Sequence, residues 1–308
     1  MSDSPCQTAH RSGVIAVIGP PNAGKSTLLN RFLEQKIAIV TPLPQTTRNR
    51  IQGIITGPDY QMILLDTPGL HQPRELLNRE MVRIALEALA EADAALFIAD
   101  ASDEAQKREK RRQDYCSWLE QAACPVVLAL NKIDLISRDQ LLPLIDWFQS
   151  LHPFAAVVPV SALKGDGAEV LLRELVSRLP EGPQYYPPDI PTDATERFIA
   201  AELIREKIFL RTRQEIPYST AVLIDSFKED EQSGAVTIHA SILVERDSQK
   251  GIIIGKKGVM LGQIRKAATK EIEKLLACKV KLQLFVKVRK NWTENEQILR
   301  ELGLSHSA

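Results

Sequence analysis

The segment GPPNAGKS, residues 19 to 26, carries residue types at a spacing that suits phosphate binding. It fits the pattern GxxxxGK[ST], follows the apolar run GVIAVI and precedes the amphipathic stretch STLLNRFLEQ. In such a loop the glycines let backbone amides turn toward phosphate, Lys25 reaches the β- and γ-phosphates, and Ser26 ligates magnesium. The residues predicted to bind nucleotide here are Gly19, Asn22, Ala23, Gly24, Lys25, Ser26 and Thr27.

A second motif, DTPG at residues 66 to 69, follows the apolar run QMILL. In phosphoryl-transfer proteins an aspartate at this place holds magnesium, here through water, and the glycine amide meets the γ-phosphate. Ras-like enzymes also carry a glutamine that orients the attacking water, but this chain has Leu70, and its next glutamine is Gln72. Leucine cannot activate water, so we expect slow intrinsic hydrolysis. The motif adds Asp66, Thr67, Pro68 and Gly69 to the predicted nucleotide site.

Two further motifs, NKID at residues 131 to 134 and SAL at residues 161 to 163, select the base. Both follow apolar runs, PVVLAL and AVVPV. Guanine presents two donors, N1–H and the 2-amino group, which one carboxylate accepts together, whereas adenine has an acceptor at N1 and no 2-amino group. Asp134 therefore favours GTP over ATP, and an amide near Ala162 is expected to donate to guanine O6. The predicted base-binding residues are Asn131, Lys132, Asp134, Ser161 and Ala162.

Between the first two motifs lies TPLPQTTRNR, residues 41 to 50, which is polar and interrupted by prolines, as a mobile switch needs to be. Thr47 is the candidate that completes the magnesium shell and senses the γ-phosphate. Thr46 remains an alternative, because spacing alone does not separate the two threonines. The predicted catalytic residues are accordingly Lys25, Thr47 and Gly69, and the predicted magnesium ligands are Ser26, Thr47 and Asp66.

GIIIGKKG, residues 251 to 258, is a second loop of glycines and lysines, but it lacks the spacing and the Ser/Thr of a nucleotide P-loop. Two glycines around two lysines let the backbone approach a sugar-phosphate chain while the ammonium groups neutralise it, as a KH domain does with about four nucleotides. Basic residues in the following helix and the last strand extend this surface. The predicted RNA-binding residues are Gly255, Lys256, Lys257, Gly258, Arg265, Lys266 and Lys287.

The elements that must position these motifs alternate along the first half of the chain, where short apolar runs take turns with longer amphipathic segments. This alternation predicts an α/β domain with a mostly parallel sheet and helices on both faces, and a ligand at the carboxyl ends of the strands. It stops at residues 179 to 193, which contain five prolines. A helix, two strands, the second loop, a basic helix and a last strand follow, which predicts an α+β module.

We therefore predict four parts: a flexible tail at residues 1–12, a GTPase domain at residues 13–180, a linker at residues 181–194, and an RNA-binding domain with a C-terminal tail at residues 195–308. Composition agrees with an ordinary globular protein, since 44% of the residues are hydrophobic and 25% are charged. No window approaches about 18 uninterrupted apolar residues, and the first residues lack a secretory signal, so we expect a cytoplasmic protein.

Cysteine, histidine and charge patterns narrow the class of partner. Four cysteines without CxxC spacing and five dispersed histidines indicate neither a disulfide framework nor a transition-metal site. The net charge of zero hides an asymmetry, because residues 251 to 292 hold 11 basic and 2 acidic side chains. Such a concentration produces a positive potential that suits nucleic acid.

Taken in order, the stretches GPPNAGKSTLLN, PQTTRNRI, DTPGLH, NKID, VSALKGDG, ERFIAAELIREKI, IIIGKKG and VKVRKNW resemble the bacterial Era family of GTPases. The resemblance runs from about residue 12 to the C-terminus. It implies a P-loop GTPase domain joined to a type II KH domain. It also implies a 30S assembly factor that binds the 3′ end of small-subunit ribosomal RNA, cytoplasmic and partly associated with the cytoplasmic face of the inner membrane.

The resemblance also bears on single residues. It supports Thr47 as the switch threonine and Leu70 as the hydrophobic replacement of the catalytic glutamine. Asn22 matches the position that related enzymes with this replacement use to bind potassium, so K⁺ joins Mg²⁺ among the expected cofactors. GTP, GDP, the ribosomal RNA and the 30S particle are the expected partners of what we expect to be a monomer.

Two other functions remain open at this point. One is a constitutive RNA-binding module whose GTPase part serves the fold or a protein contact. The other is a membrane-surface GTPase that uses the basic C-terminal helix on anionic lipid. The helix sequence QIRKAATKEIEKL mixes apolar and basic residues as a core-packed helix does. The membrane-surface GTPase is therefore the least favoured of these hypotheses.

Overall fold

The computed structural model describes residues 10–70 and 76–304, and within these ranges the chain divides into two units. The first unit takes in residues 10–37, 50–70 and 82–193, and the second takes in residues 38–49, 76–81 and 194–304. Residues 1–9 of the predicted tail, Gln72, and residues 305–308 of the predicted C-terminal tail lie outside the described residues.

The first unit is built on a six-stranded sheet of order β2-β3-β1-β4-β5-β6. Its strands are β1 (Arg11–Ile18), β2 (Ile51–Thr56), β3 (Tyr60–Asp66), β4 (Ala94–Asp100), β5 (Val126–Asn131) and β6 (Ala156–Pro159). All neighbouring pairs are parallel except β2 with β3, so the prediction of a mostly parallel sheet is confirmed.

Helices accompany this sheet: α1 (Lys25–Leu33), α2 (Leu76–Ala90), α3 (Ala105–Lys110), α4 (Arg112–Leu119), α5 (Leu141–Gln149) and α6 (Ala168–Val176). The first six residues of α2 belong to the second unit. Every residue of β5 is buried, as expected of a parallel strand covered on both faces. Phe97 and Leu128 sit at the centre of the apolar core, and the strands that surround them carry the sequence motifs at their carboxyl ends.

The proline-rich stretch that follows α6 lies along the edge of this sheet. The side-chain oxygen of Gln61, on β3, accepts hydrogen bonds from the amides of Tyr185 and Tyr186 at 2.7 and 2.9 Å. The amide of Ile54 on β2 donates to the Pro191 carbonyl at 2.8 Å. Gln61 is fully buried. The backbone of the proline-rich stretch supplies the hydrogen-bond partners that its buried side-chain amide needs, and these bonds hold the stretch in place.

From residue 194 onward the second unit follows the order helix, strand, strand, helix, helix, strand, helix. Its elements are α7 (Glu196–Arg211), β7 (Ala221–Glu229), β8 (Val236–Val244), α8 (Asp247–Ile254), α9 (Val259–Leu276), β9 (Val280–Val288) and α10 (Glu296–Glu301). The sheet has the order β7-β8-β9, with β7 antiparallel and β9 parallel to β8. The prediction of an α+β module in this part of the chain is confirmed.

Two helices show why this sequence forms these elements. The hydroxyl of Thr195 accepts a hydrogen bond from the Phe198 amide at 3.2 Å and thereby caps α7. On α9, Ile264, Ala268 and Ile272 recur every four residues and are fully buried, which is the spacing of one helix face.

The structure contains elements that the sequence analysis did not predict: strand β2 and helices α3, α8 and α10. Residues 251–254, which were predicted to be part of a loop, form the last turn of α8. No helix within residues 10–70 and 76–304 has the length and apolar composition needed to cross a bilayer.

Candidate functional sites

The P-loop joins β1 to α1 through two glycines with backbone angles that other residues rarely adopt. Gly19 has φ 143° and Gly24 has φ 100°. A Cβ atom on Gly19 would lie 2.3 Å from the Ile98 carbonyl oxygen, so the chain can only pass β4 at this distance without a side chain. Asn22 also has a positive φ, 64°, and is exposed.

Lys25 is buried in this loop, and its ammonium group donates to the carbonyls of Gly19 and Pro20 at 3.1 and 3.0 Å. Burial lowers the pKa of Lys25 to about 8, and nearby Asp66 offsets part of that change. A desolvated cation in a loop that leads into a helix N-terminus is poised to bind an anion.

Two of the predicted metal ligands meet in the first unit. The hydroxyl of Ser26 donates to the Asp66 carboxylate at 2.6 Å, and Asp66 is fully buried at the end of β3. Thr67 fixes the following turn by donating to the Val17 carbonyl at 2.7 Å. Hydroxyl and carboxylate oxygens are the donors that magnesium prefers, so this pair fits the ion.

The turn at Gly69 and Leu70 packs directly on the P-loop. A Cβ atom on Gly69 would lie 2.8 Å from the Pro21 nitrogen, and the Leu70 amide donates to the Gly19 carbonyl at 3.1 Å. The Leu70 side chain is 1% exposed and belongs to the apolar core. It therefore offers no polar atom to a water molecule at the γ-phosphate position.

Asn131 holds the phosphate loop and the base loop together. Its side-chain nitrogen donates to the Ala23 carbonyl at 2.7 Å, and its side-chain oxygen accepts from the Ala162 amide at 2.9 Å. The fit is close, because a Cβ atom on Gly24 would lie 2.1 Å from the same nitrogen. The Ala162 amide predicted to bind guanine O6 is thus already bonded to Asn131, and O6 would share or replace that bond.

Asp134 is the predicted guanine-binding carboxylate, and its surroundings keep it ionised. A hydrogen bond with the Ser161 side chain lowers the pKa of Asp134, and Lys164 and Lys132 lower it further. The Lys164 ammonium lies 3.8 Å from the Asp134 carboxylate. Lys132 itself lies 2.5 Å from Asp100 at the end of β4, so NKID is tied to the neighbouring strand.

Sequence reasoning missed Arg31. From α1 its guanidinium donates to the Ala162 carbonyl at 3.2 Å and to the Leu163 carbonyl. Arg31 is thus a second side chain that fixes the base loop, and it lines a cleft of about 490 Å³ with Thr27, Asn30 and Ala162. No motif marks Arg31, because its partners lie about 130 residues away in the sequence.

The predicted switch residue Thr47 lies in the second unit, within residues 38–49. Thr47 is 6% exposed. The hydroxyl of its rival Thr46 is bonded within the same segment, to Thr41 at 2.6 Å and to the Leu43 carbonyl at 2.8 Å. This local bonding makes Thr46 the weaker candidate for a ligand outside the segment.

The second glycine-lysine loop lies between α8 and α9. Gly255 and Gly258 have φ 71° and 78°, and Lys257 also has a positive φ, 52°. Lys256 and Lys257 are exposed, as are the flanking apolar residues Ile252 and Val259. Exposed aliphatic groups beside two ammonium groups offer apolar contact to bases and neutralisation to phosphates.

The other predicted RNA-binding residues divide into two groups. Arg265 and Lys266 are exposed on α9, on the helix that follows the loop. Lys287 is exposed on β9 and lies 3.5 Å from the Asp225 carboxylate of β7. Part of the Lys287 charge is therefore balanced within the sheet.

Two protein-family models match the chain. Residues 14–132 match the model described as 50S ribosome-binding GTPase. Residues 215–293 match the KH domain model. The first match covers the P-loop and the DTPG motif, and the second covers the loop of glycines and lysines at residues 251–258.

Relatives match over nearly the whole chain. The GTPase Era of Geobacter metallireducens is 54% identical and covers 98% of this chain and 99% of its own. The GTPase Era of Syntrophus aciditrophicus is 50% identical and covers 98% of each chain.

Two solved structures match both units. Era in complex with MgGDPNP and nucleotides 1506–1542 of 16S ribosomal RNA has a TM-score of 0.90, is 39% identical and covers 96% of this chain and 100% of its own. A single-residue variant of Aquifex aeolicus Era bound to GDP·AlF₄⁻ has a TM-score of 0.89 with the same identity and coverage.

Replacing Asp134 with Asn should change the preferred base from guanine to xanthine. The amide can no longer accept both guanine donors, and it can donate to xanthine O2. We expect GTP affinity to fall by ~100-fold, from the loss of charge-assisted hydrogen bonds of about 3 kcal/mol, while XTP binding appears. Calorimetric titration with both nucleotides checks this, and Asp146→Asn, an exposed change on α5, should leave both affinities unaltered. Unchanged GTP affinity in Asp134→Asn would contradict the base assignment.

Nucleotide affinity should fall as pH rises through about 8. In the nucleotide-free protein the pKa of Lys25 is lowered to about 8, and bound phosphates raise it, so above that pH Lys25 must take up a proton when nucleotide binds. The GDP dissociation constant should rise by up to about tenfold per pH unit between pH ~8 and pH ~9. Lys25→Arg keeps its charge over this range, so its GDP dissociation constant should change less with pH. Any change that remains in this variant measures the ionisation of guanine itself. Parallel profiles would show that Lys25 does not cause the pH dependence.

Proposed function

The chain belongs to the Era family of GTPases, and from this premise we propose that it hydrolyses GTP to control its binding to the 3′ end of small-subunit ribosomal RNA during 30S assembly. The relative solved with MgGDPNP and nucleotides 1506–1542 of 16S ribosomal RNA supports this target. The observation that carries the nucleotide half of the proposal is the double hydrogen bond of Asn131, which joins the phosphate loop to the base loop.

Hydrolysis in this site depends on positioning and electrostatics. Lys25 and the loop amides bind the β- and γ-phosphates, and the Gly69 amide stabilises charge on the γ-phosphate as the bond to the leaving oxygen breaks. Ser26 and Asp66 would hold Mg²⁺, with Asp66 acting through water and Thr47 completing the shell. The bound ion neutralises negative charge on the phosphates. Because Leu70 is in the apolar core, no side chain at that position orients water, and the intrinsic rate is slow.

The second unit supplies the RNA half. The amides at Gly255 and Gly258 approach the sugar-phosphate chain, Lys256 and Lys257 neutralise it, and Arg265, Lys266 and Lys287 extend the basic surface. We assign the GTPase domain to residues 13–180, the linker to residues 181–194 and the KH domain to residues 195–308. The protein acts in the cytoplasm as a monomer, with peripheral contact at the cytoplasmic face of the inner membrane.

Potassium is the second cation of the proposed site. Asn22 lies exposed in the P-loop and carries an amide oxygen, a hard donor of the kind that alkali cations take. A potassium ion there would add positive charge beside the phosphates where Leu70 contributes none.

Charge reversal at Lys256 and Lys257 should remove RNA binding and spare nucleotide binding. With an RNA of the 3′-end sequence at fixed salt, we expect Lys256→Glu/Lys257→Glu to lose at least ~100-fold in affinity, because phosphate contacts dominate. Lys107→Glu/Lys110→Glu, an equal charge change at exposed positions of α3, is the matched control. Equal losses in both variants would indicate non-specific electrostatics.

The same binding assay tests the switch. The wild-type protein should bind this RNA more tightly with a non-hydrolysable GTP analogue than with GDP or without nucleotide. Equal affinity in all three states would favour a constitutive RNA-binding module, and absence of binding in all three would favour a membrane or protein partner.

Potassium should accelerate GTP hydrolysis. We expect kcat in KCl to exceed kcat in NaCl by about tenfold at equal ionic strength, as expected for one added cationic group at the transferred phosphoryl. Asn22→Ala should remove the difference in kcat between the two salts, and GDP affinity measured in each salt separates this effect from a change in nucleotide binding. Equal rates in both salts for the wild type would eliminate the potassium site.

A further inference from the structure

The three-stranded sheet of the second unit has two sides of different character. Helices α7 and α9 pack on one side, where Ile238, Ala240 and Ile242 of β8 are fully buried. Because successive side chains of a strand alternate between the two sides, the odd-numbered residues of β8 point the other way. We call this second side the open face, and the residues of it that matter here are Lys228, Thr237, His239, Lys281, Phe285 and Lys287.

Phe285 stands on the open face beside Ser241 of β8 and is 51% exposed. Single exposed apolar side chains are common on protein surfaces, so exposure alone does not indicate a binding site. The neighbours of Phe285 on this face are short or polar, since His239 and Gln283 form the next pair along the two strands. An aromatic ring on a sheet among such side chains is the arrangement on which some RNA-binding domains stack bases.

Exposed cations surround this ring. Lys228 of β7 and Lys281 of β9 both lie beside Thr237 of the central strand, and Lys287 lies two residues beyond the ring on β9. All three lysines are exposed. Lys287 has a partner in Asp225, but in the described part of the chain no carboxylate pairs with Lys228 or Lys281. Uncompensated positive charge of this kind attracts a polyanion.

A β-bulge in β7 determines how Asp225 is used. The register of β7 against β8 shifts between Ile224 and Ser226, which places Asp225 in the bulge. Its carboxylate accepts from the Ser241 hydroxyl at 2.5 Å and lies 3.5 Å from the Lys287 ammonium. The bulge thus aims Asp225 at Lys287, and the charges of the other two lysines stay uncompensated.

A cleft adjoins the open face at its end near α10, and its volume is about 430 Å³. The polar residues that line it include two cations, two amides and two carboxylates: Lys287, Arg289, Asn295, Gln297, Asp225 and Glu301. Pockets for small ligands have volumes of about 300–1,000 Å³, so the cleft can hold one nucleotide. The two amides can donate to and accept from the edge of a base, and Arg289 can meet a phosphate.

These features favour RNA over an acidic protein segment. Phosphates match the lysines, and bases match the ring and the amides, so a single strand of RNA uses every part of the open face and the cleft. An acidic peptide would use the lysines and leave Phe285 exposed. Stacking on one ring tolerates any base, whereas Thr237 and His239 carry polar atoms that can select among bases.

We propose that the open face is a second surface for single-stranded RNA in this unit, with a base stacked on Phe285, phosphates at Lys228 and Lys281, and the strand continuing into the cleft. The loop at residues 251–258 precedes α9, which packs on the other side of the sheet, so the loop and the open face take different segments of one RNA. The proposal rests on the proposed RNA-binding function and deepens it. Lys287, assigned above to RNA binding, belongs to this second surface.

The first test measures the affinity of the full-length chain for an RNA of the 3′-end sequence at fixed salt. Phe285→Leu removes the aromatic ring and should lower the affinity about tenfold, the effect of losing one stacked base. Phe285→Tyr keeps a ring and should retain the wild-type affinity. Tyr185→Leu is the matched control, because it removes an exposed aromatic ring from the first unit, and it should leave the affinity unchanged.

The second test changes the charge of the open face. Lys228→Gln/Lys281→Gln should lower the slope of log affinity against log salt by about 1.4, since each phosphate contact to a single strand contributes about 0.7. Lys107→Gln/Lys110→Gln, at exposed positions of α3, should leave the slope unaltered. The same slope in all three proteins would contradict phosphate contacts on the open face.

The third test locates the RNA. p-Azidophenylalanine in place of Phe285 should cross-link to the RNA on irradiation, and in place of Tyr185 it should not. In place of Val259, which is exposed beside the loop, it should cross-link to other nucleotides than those found with position 285. The same nucleotides at both positions would show one surface and overturn the proposal.

These outcomes separate the open face from the loop. Wild-type affinity in Phe285→Leu, with no cross-link at position 285, overturns the open face even if the loop binds RNA as proposed. Conversely, retained affinity in Lys256→Glu/Lys257→Glu with a tenfold loss in Phe285→Leu contradicts the loop and supports the open face. A wild-type chain without measurable RNA affinity, and without a cross-link at either position, rejects both.

Discussion

The contact between Asn131 and Gly24 is the constraint on which the nucleotide site depends. A Cβ atom at position 24 would lie 2.1 Å from the Asn131 side-chain nitrogen, so the asparagine can reach the Ala23 carbonyl only because residue 24 is glycine. The same side chain accepts from the Ala162 amide. One side chain therefore fixes the distance between the loop that binds phosphates and the loop that binds the base. A nucleotide of the correct length is bound by groups already in place, which lowers the entropy lost on binding.

Local patterns predicted the motifs of this site well, because each loop follows a strand whose apolar run is visible in the sequence. Strand β2 was missed, since it is a short antiparallel edge strand whose pairing to β3 and contact with Pro191 are set by distant residues. The last turn of α8 was missed because Gly251 suggested a loop, although it is exposed and a Cβ atom there would meet nothing within 4 Å. Glycine at that position weakens a helix without ending it.

The larger gaps between sequence and structure come from long-range polar contacts. Arg48 was read as one residue of a mobile switch, yet its three carbonyl partners lie about 170 residues away. Similarly, counting basic residues near the C-terminus does not show that Lys287 differs from the basic residues of α9. Lys287 forms an ion pair with Asp225. Side chains on a strand alternate between faces; Val280 and Leu282 are buried and Lys281 and Lys287 are exposed. Charge composition predicted the class of partner, and only the fold shows which lysines share a surface.

Lys25 and Arg48 show how the same physics serves two purposes. Each is a buried cation that donates to backbone carbonyls, and burial is the largest cause of the lowered pKa of each. For Lys25 the cost of desolvation is borne by folding, so phosphate binds a cation that has already lost its water, and the attraction is stronger than it would be in solvent. For Arg48 the same cost is offset within the fold, because its guanidinium donates to the carbonyls of Thr220, Pro217 and Tyr218. The surroundings decide the difference: Arg48 lies 5.8 and 5.7 Å from the ring centres of Phe209 and Trp292, so its charge serves the fold, whereas Lys25 lies in a glycine loop at a helix N-terminus, where an anion can bind.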